Sequence, residues 1–349
     1  MKRSSTPPPL LGITMGDPAG IGPEICAKAL VDPSMFSVCR PIIIGDAAVM
    51  ADALSFSNLN LAVNACRQVS HGRFTPGTLD ILDLENLPMA ELRHKSVTAA
   101  QGRASFEYID RVIQLALAGE IDGTVTGPIN KAAINAAGFH YAGHTEIYGQ
   151  KTGAADYAMM LVDRNFRVAH VSTHVSLRDA CDRVKTARVL KVIQLTHNTL
   201  EGLDIETPRI AVAGLNPHCG EGGLFGDEDE AEIAPAVAAA RADGIRADGP
   251  LPADTVFSKM KGGMFDAVVV MYHDQGHIPA KLVGFEYDDA TDTWGHMAGV
   301  NVTIGLPIVR TSVDHGTAFD RAGEGRANPQ SMVEAIRLAA KLSRGARRP

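Results

Sequence analysis

The 349-residue chain contains no Cys-x-x-Cys pair, and its five cysteines, Cys26, Cys39, Cys66, Cys181 and Cys219, are odd in number. That argues against a disulfide framework and against a thiolate zinc cage, and it fits a reducing compartment. No stretch approaches the roughly 20 apolar residues that a membrane helix needs. The opening MKRSSTPPPLLGITM has an apolar part too short for a signal peptide, so a cytoplasmic location is expected. Basic runs are missing as well. A net charge of −7, with 33 Lys and Arg against 40 Asp and Glu, leaves no footprint for nucleic acid or an anionic membrane. Internal repeats and low-complexity tracts are lacking too, which leaves a small molecule as the expected ligand.

What is present suits a packed globular protein: 45% hydrophobic and 21% charged residues, in a length that suggests two domains and a cleft. Short β-rich runs alternate with amphipathic stretches: Leu10–Met15 and a helix from Pro23, Pro41–Ile44 and another, then Gly123–Thr126 and a helix near Asn130. This alternation marks a parallel sheet covered by helices, an α/β fold. Phe106, Ile109, Val112, Ile113 and Ala116 recur at helical spacing, with Gly119 as a stop, and predict a covering helix. Near-continuous apolar runs at Ala158–Val162, Val168–Val171, Ile210–Ala213 and Ala267–Met271 predict strands buried on both faces. Pro329–Leu342 reads as a terminal helix. The acidic segment Glu286–Ala298, which holds the one tryptophan, lacks periodicity and reads as a loop or lid.

Three of these strands end alike, in VAHVSTH at His174, IAVAGLNPH at His218 and VVVMYHD at His273. The carboxyl ends of parallel strands line the ligand crevice, so three imidazoles distant in sequence can converge there. Together they would hold zinc or a similar divalent ion and leave a position open for substrate. Asp274 and Asn216 could orient them. The bland alternative is that each is a hydrogen-bonded structural histidine; His170 reads as packed inside, and His277 as a weaker candidate at a helix start.

Anion-binding signals accompany them. GDPAGIGPE, Gly16–Glu24, follows the first strand and opens a helix, which suits an anion at a helix N-terminus or merely a glycine turn. GHTE offers His144 and Thr145 just before a helix, as ligands or as a cap. Lys281, Asn301 and Arg310 follow the third histidine, and an arginine after a buried apolar strand (GLPIVR) calls for an anionic partner such as phosphate, unless it is solvated or salt-bridged.

From GITMGDPAGIGPEI through GPINK, GHTE, STHVSLRD, GLNPHCGEGG, GPLPADT, YHDQGHIPAK and GVNVTIGLP to RTSVDHGTAFD, the chain resembles the 4-hydroxythreonine-4-phosphate dehydrogenase family. GLFGDE and YHDQGHIPAKL look closer to its paralogues acting on 4-phosphorylated threonate or erythronate. The resemblance implies metal ligands at His174, His218 and His273, and substrate contacts at His144, Thr145, Lys281, Asn301 and Arg310. HGTAFDRAGEGRANP resembles an adenosine-binding loop, which implies NAD (or NADP) contacts at His315, Gly316, Thr317 and Asn328. It further implies an isopropylmalate dehydrogenase-like two-domain α/β/α sandwich with its active site in the interdomain cleft, and a homodimer sharing active-site residues. Residues 1–145 with 305–349 would form a first domain carrying NAD contacts, and 146–304 a second carrying metal ligands and dimer contacts. A paralogue oxidising the cis-dihydrodiol of terephthalate departs from GHTE and from the GVNVT…RT segment, both kept here, which favours phosphate. The 286–298 insertion lies outside the usual pattern.

The reaction implied is oxidation of the 3-hydroxyl of a 4-phosphorylated hydroxy acid, aided by one divalent metal (Zn, Mg, Mn or Co), then decarboxylation, with Lys281 and His218 as catalytic candidates. The rivals are a zinc hydrolase, a phosphate acyltransferase of similar architecture and a non-catalytic binding protein.

Overall fold

The computed structural model describes residues 7–289, 293–297 and 299–346. The chain divides into two units, one running up to Gly153 and resuming at Pro307, the other spanning Ala154–Leu306. A division after residue 145 would cut the helix His144–Thr152, which ends at Gly153 in a left-handed conformation (φ 67°) that costs glycine little.

In the first unit, strands β1 (Leu10–Thr14), β2 (Arg40–Gly45), β3 (Ala62–Cys66), β4 (Thr78–Asp83), β5 (Gly123–Thr126) and β14 (Arg310–Val313) are ordered β3-β4-β2-β1-β5-β14. Every pairing among them is parallel. Both faces need cover, hence the fully buried LLGIT of β1. The helices are α1 (Gly22–Ala29), α2 (Met35–Val38), α3 (Ala47–Phe56), α4 (Ala99–Leu117), α5 (Lys131–Ala136), α6 (His144–Thr152) and α12 (Gln330–Ala346). The expected covering helix is α4, capped by the Thr98 hydroxyl accepting from the Gln101 N–H, with Phe106, Ile109, Val112 and Ile113 buried. It seats closely because β1 offers Gly12, where a Cβ would lie 2.7 Å from Val112 and Ile121 side-chain atoms. β2 lies on one side of β1 and β5 on the other, so the loops after β1 and β5 flank a topological switch point. They meet where the Asp17 N–H donates to the Pro128 carbonyl at 2.8 Å.

In the second unit, β6 (Ala158–Asp163), β7 (Phe166–His170), β8 (Arg209–Ala213), β9 (Arg246–Leu251), β10 (Ala267–Val270) and β13 (Val300–Ile304) are ordered β13-β6-β7-β10-β8-β9. β7, β10, β8 and β9 run parallel; β13, β6 and β7 pair antiparallel. Helices α7 (Leu177–Asp182), α8 (Thr186–Gly202), α9 (Ala234–Ala242), α10 (Ala253–Lys261) and α11 (His273–Gly284) accompany them.

Two readings are corrected. The segment expected as a loop or lid forms an antiparallel hairpin, β11 (Phe285–Asp288) with β12 (Thr293–Met297), bulged between Glu286 and Tyr287; residues 290–292 and 298 lie outside the described residues. The bulge shifts the register, and with it the alternation that betrays a strand. GLPIVR is not a strand ending in arginine: β13 stops at Ile304, and Arg310 begins β14. Among the described residues no helix is long and apolar enough to cross a membrane.

Candidate active-site clusters

In the first unit, β14 pairs with β5 so that Arg310 stands opposite Thr124. Arg310 is 2% exposed; its Nη2 donates to Thr126 Oγ1 at 2.9 Å, and its guanidinium carbon lies 5.5 Å from the Tyr148 ring centre. Burial pulls it down to about 10, so it stays charged at neutral pH. His144 and Thr145, read as residues preceding a helix, lie within the first turn of α6 behind Gly143, and neither acts as its cap. Burial, then the charge of Arg310, pushes His144 well below the ordinary imidazole range. A neutral ring can donate one N–H to an anion, and its Nε2 has no hydrogen-bond partner among the described residues. Lys131, at the start of α5, comes near Gly143; Glu146 is the acid of the cluster and raises Arg310 slightly. The result is a seat for a compact anion made of a fixed cation, a neutral imidazole and a helix N-terminus.

The Gly16–Gly22 loop packs on the segment after β14. The Ile21 N–H donates to the Thr317 carbonyl at 3.0 Å, and a Cβ on Gly20 would strike Thr317. Beside Gly316 there is open space. His315 Nδ1 engages the Gly316 carbonyl at 3.0 Å, and burial lowers its pKa. Asn328 is exposed and its Oδ1 accepts from the Gln330 N–H, a local role at the start of α12. The buried Glu24 accepts from the Ala327 N–H at 2.7 Å and pairs with Lys28, whose Nζ also donates to the Gly325 and Ala327 carbonyls. Asp17, 1% exposed at the switch point, accepts from the Ala19 N–H, while its Oδ2 lacks a hydrogen-bond partner among the described residues. Burial, partly offset by hydrogen bonds from Ala19 and Asn130, raises it to about 6.

In the second unit, β7, β10 and β8 are consecutive neighbours, so the segments bearing His174, His273 and His218 leave one edge of one sheet. The rings of His174 and His273 stand 5.8 Å apart, beside a cavity of about 470 Å³ lined by Thr173, Ser176, Tyr272 and Asp274 as well. Two imidazoles on one zinc ion, with Zn–N near 2.0 Å, hold their ring centres about 5 Å apart, so this pair fits a shared divalent ion. Asp274 Oδ1 lies 2.6 Å from His273 Nδ1, which directs the other nitrogen outward. His277 stacks on His273 at 3.6 Å, with its Nδ1 3.0 Å from the His273 carbonyl, and is pushed down to about 4 by burial and by His273. His170 is buried as expected, against Gly276, and burial pushes it down to about 3.

His218 is not gathered with His174 and His273 into one group among the described residues. Among the described residues no group of three or more His, Cys, Asp or Glu could hold a metal ion. His218 opens a run of six residues with positive φ, His218–Gly223, of which His218, Cys219 and Glu221 carry side chains. Left-handed backbone costs such residues roughly 1–2 kcal/mol each. Asp229 anchors the backbone that leads into the run: fully buried, it accepts from the Leu215 and Asn216 N–H groups and from Asn216 Nδ2. Gln275 ties the neighbouring segment to it, accepting from the Met271 N–H and donating to the Gly214 carbonyl, both at 2.7 Å. Lys281 is exposed in the last turn of α11, at i+8 from His273 and i+4 from His277 on one helical face. Asn301 sits in β13 opposite Leu161, its Nδ2 donating to Met159 Sδ.

Sequence reasoning missed Asp17, Thr126, Lys131, Tyr148 and Asp229. Tyr148 had a signal, its i+4 spacing from His144 on a helix; Asp229 had none, because its partners lie 13 and 14 residues away across a turn.

These largely parallel sheets, with polar groups gathered past the strand ends, define an α/β enzyme. Residues 37–339 match the family described as pyridoxal phosphate biosynthetic protein PdxA, and the chain belongs to that family. A Symbiobacterium thermophilum protein provisionally named D-threonate 4-phosphate dehydrogenase is 48% identical over 97% of this chain and 98% of its own length. The crystal structure of a 4-hydroxythreonine-4-phosphate dehydrogenase from Burkholderia phymatum is 44% identical, with a TM-score of 0.82 over 96% of this chain and 98% of that one. A terephthalate 1,2-cis-dihydrodiol dehydrogenase from Burkholderia xenovorans LB400 is more distant, 30% identical with a TM-score of 0.66 over 95% and 98%. The chain is accordingly a dehydrogenase acting on a hydroxyl group, which displaces the hydrolase and acyltransferase readings.

Proposed function

We propose that the chain oxidises the 3-hydroxyl of a 4-phosphorylated four-carbon hydroxy acid, of the phospho-threonate or phospho-erythronate kind, with loss of carbon dioxide from the resulting β-keto acid. The observation that carries this reading is the buried Arg310 beside a neutral His144: a fixed cation with an imidazole donor suits a phosphate. The name of the 48%-identical relative supports the same substrate class, and the lower likeness to the terephthalate enzyme speaks against a second carboxylate in its place.

In this reading a divalent ion held by His174, His218 and His273 would supply Lewis-acid charge stabilisation, and a nicotinamide dinucleotide, its adenosine end held at His315, Gly316, Thr317 and Asn328, would supply the hydride acceptor. Arg310, His144 and Thr145 hold the phosphate and so align the far end of the substrate. Lys281 presents a cation on the face of α11 that carries His273 and His277, and Asn301 adds an amide from β13; Lys281 donates the proton after decarboxylation. Because one chain brings two of the three imidazoles together, we assign the complete ligand set to a homodimer.

The test is to offer purified protein, with NAD or NADP and each of zinc, magnesium, manganese and cobalt, 4-phospho-threonate, 4-phospho-erythronate, 4-phosphohydroxythreonine and the terephthalate dihydrodiol, following reduced cofactor. Turnover of the dihydrodiol alone would refute the phosphate reading. His218→Ala is expected to abolish metal-dependent cofactor reduction with the fold intact by circular dichroism; full turnover by that variant without added metal would remove the metal assignment.

A further inference from the structure

The geometry points to Tyr148 as a positioning residue for the anion seat: it couples the helix that carries His144 to the strand that begins with Arg310. The inference rests on the reading of Arg310 and His144 as the phosphate contacts. Tyr148 is fully buried and lies one turn after His144 on α6, so both side chains leave the same face of the helix. It makes two attachments. Its ring lies under the Arg310 guanidinium at 5.5 Å, and its hydroxyl donates to Thr124 Oγ1 at 3.1 Å. Thr124 Oγ1 in turn donates to the Val309 carbonyl at 2.9 Å, on the residue just before Arg310. One side chain therefore holds both the head of the arginine and the backbone that presents it.

A buried guanidinium needs such support. Thr126 takes one N–H, and the aromatic face accepts the positive charge without competing for the N–H groups that a phosphate would use. A carboxylate in the place of the ring would neutralise the arginine, whereas an aliphatic residue would leave its plane unsupported. Burial lifts the Tyr148 phenol to about 12, so it stays a hydrogen-bond donor throughout the working pH range.

The experiment compares wild type with Tyr148→Phe, which keeps the ring and cuts the relay through Thr124, and Tyr148→Leu, which removes both. Inorganic phosphate is the probe, its affinity read from the concentration dependence of the melting temperature, alongside KM and kcat for the phosphorylated substrate. Tyr148→Leu is expected to weaken phosphate binding and raise KM about 3- to 30-fold, the span of a desolvated cation–π contact, with a smaller change in kcat. Tyr148→Phe, whose fold is the safer of the two, is expected to fall between Tyr148→Leu and wild type. Wild-type phosphate affinity and KM in both variants would overturn the coupling while leaving the phosphate reading in place. A wild-type protein whose melting temperature ignores phosphate would overturn the phosphate reading and this inference with it.

Discussion

At the residue scale, Asp17 shows how a buried group reports on itself through pH. Its folded pKa, raised to about 6, lies above the ordinary carboxyl value of 3.8, so the folded state holds the proton more tightly than the unfolded chain. Stability from this group is complete below about pH 4 and is lost as pH rises through 6, amounting to about 3 kcal/mol. Asp17→Asn should remove that dependence: in urea unfolding, the variant gains stability relative to wild type between pH 4 and pH 7. Equal slopes for the two proteins across that range would show that Asp17 is not buried in its charged form. Nothing in GDPAGIGPE warns of this, because the motif reads equally as an anion loop or a turn; the two loops of the switch point make Asp17 interior. His144, Thr145 and Arg310 were readable as residue types, yet their proximity depends on β14 returning beside β5 after more than 180 residues.

Among the elements, local periodicity carried far. β1, β5, β6, β7, β8, β10, α4 and α12 stand close to where apolar spacing and caps put them, since each is a regular element that buries a continuous surface. The hairpin β11–β12 escaped because a bulge breaks its period, and β14 escaped because four residues opened by an arginine carry no strand signal. The turn Pro217–Gly223 was legible as glycine-rich but not as left-handed. Asp229 anchors the backbone leading into it, so Asp229→Ala, which leaves the half-buried Leu215 and Asn216 N–H groups without their acceptor, is expected to lower the melting temperature and the bound-metal content together. A variant that keeps both would show that the turn holds itself.

For the whole molecule, the two-unit α/β organisation followed from length and alternation, whereas the lack of a three-ligand metal group among the described residues could not be read from three strand-end histidines. Neighbouring strands share an edge, but a ligand set also needs side chains to meet at one point. If the proposed homodimer completes the set, His174→Ala and His218→Ala chains, each inactive alone, should regain about a quarter of wild-type activity when unfolded and refolded together in equal amounts, half the dimers being mixed with one intact site each. No recovery from a mixture shown to contain mixed dimers would mean that each site takes His174 and His218 from the same subunit.

The amide of Gln275 bears on how such a site would move. By gripping the start of one histidine segment and the glycine that opens the other, it makes them a single mechanical piece, so a tilt of the helix is passed to the turn rather than absorbed between them. Because the grip is a neutral amide, acid and salt that loosen charged anchors leave it unchanged, and the spacing of the two segments is protected over the conditions in which the enzyme works.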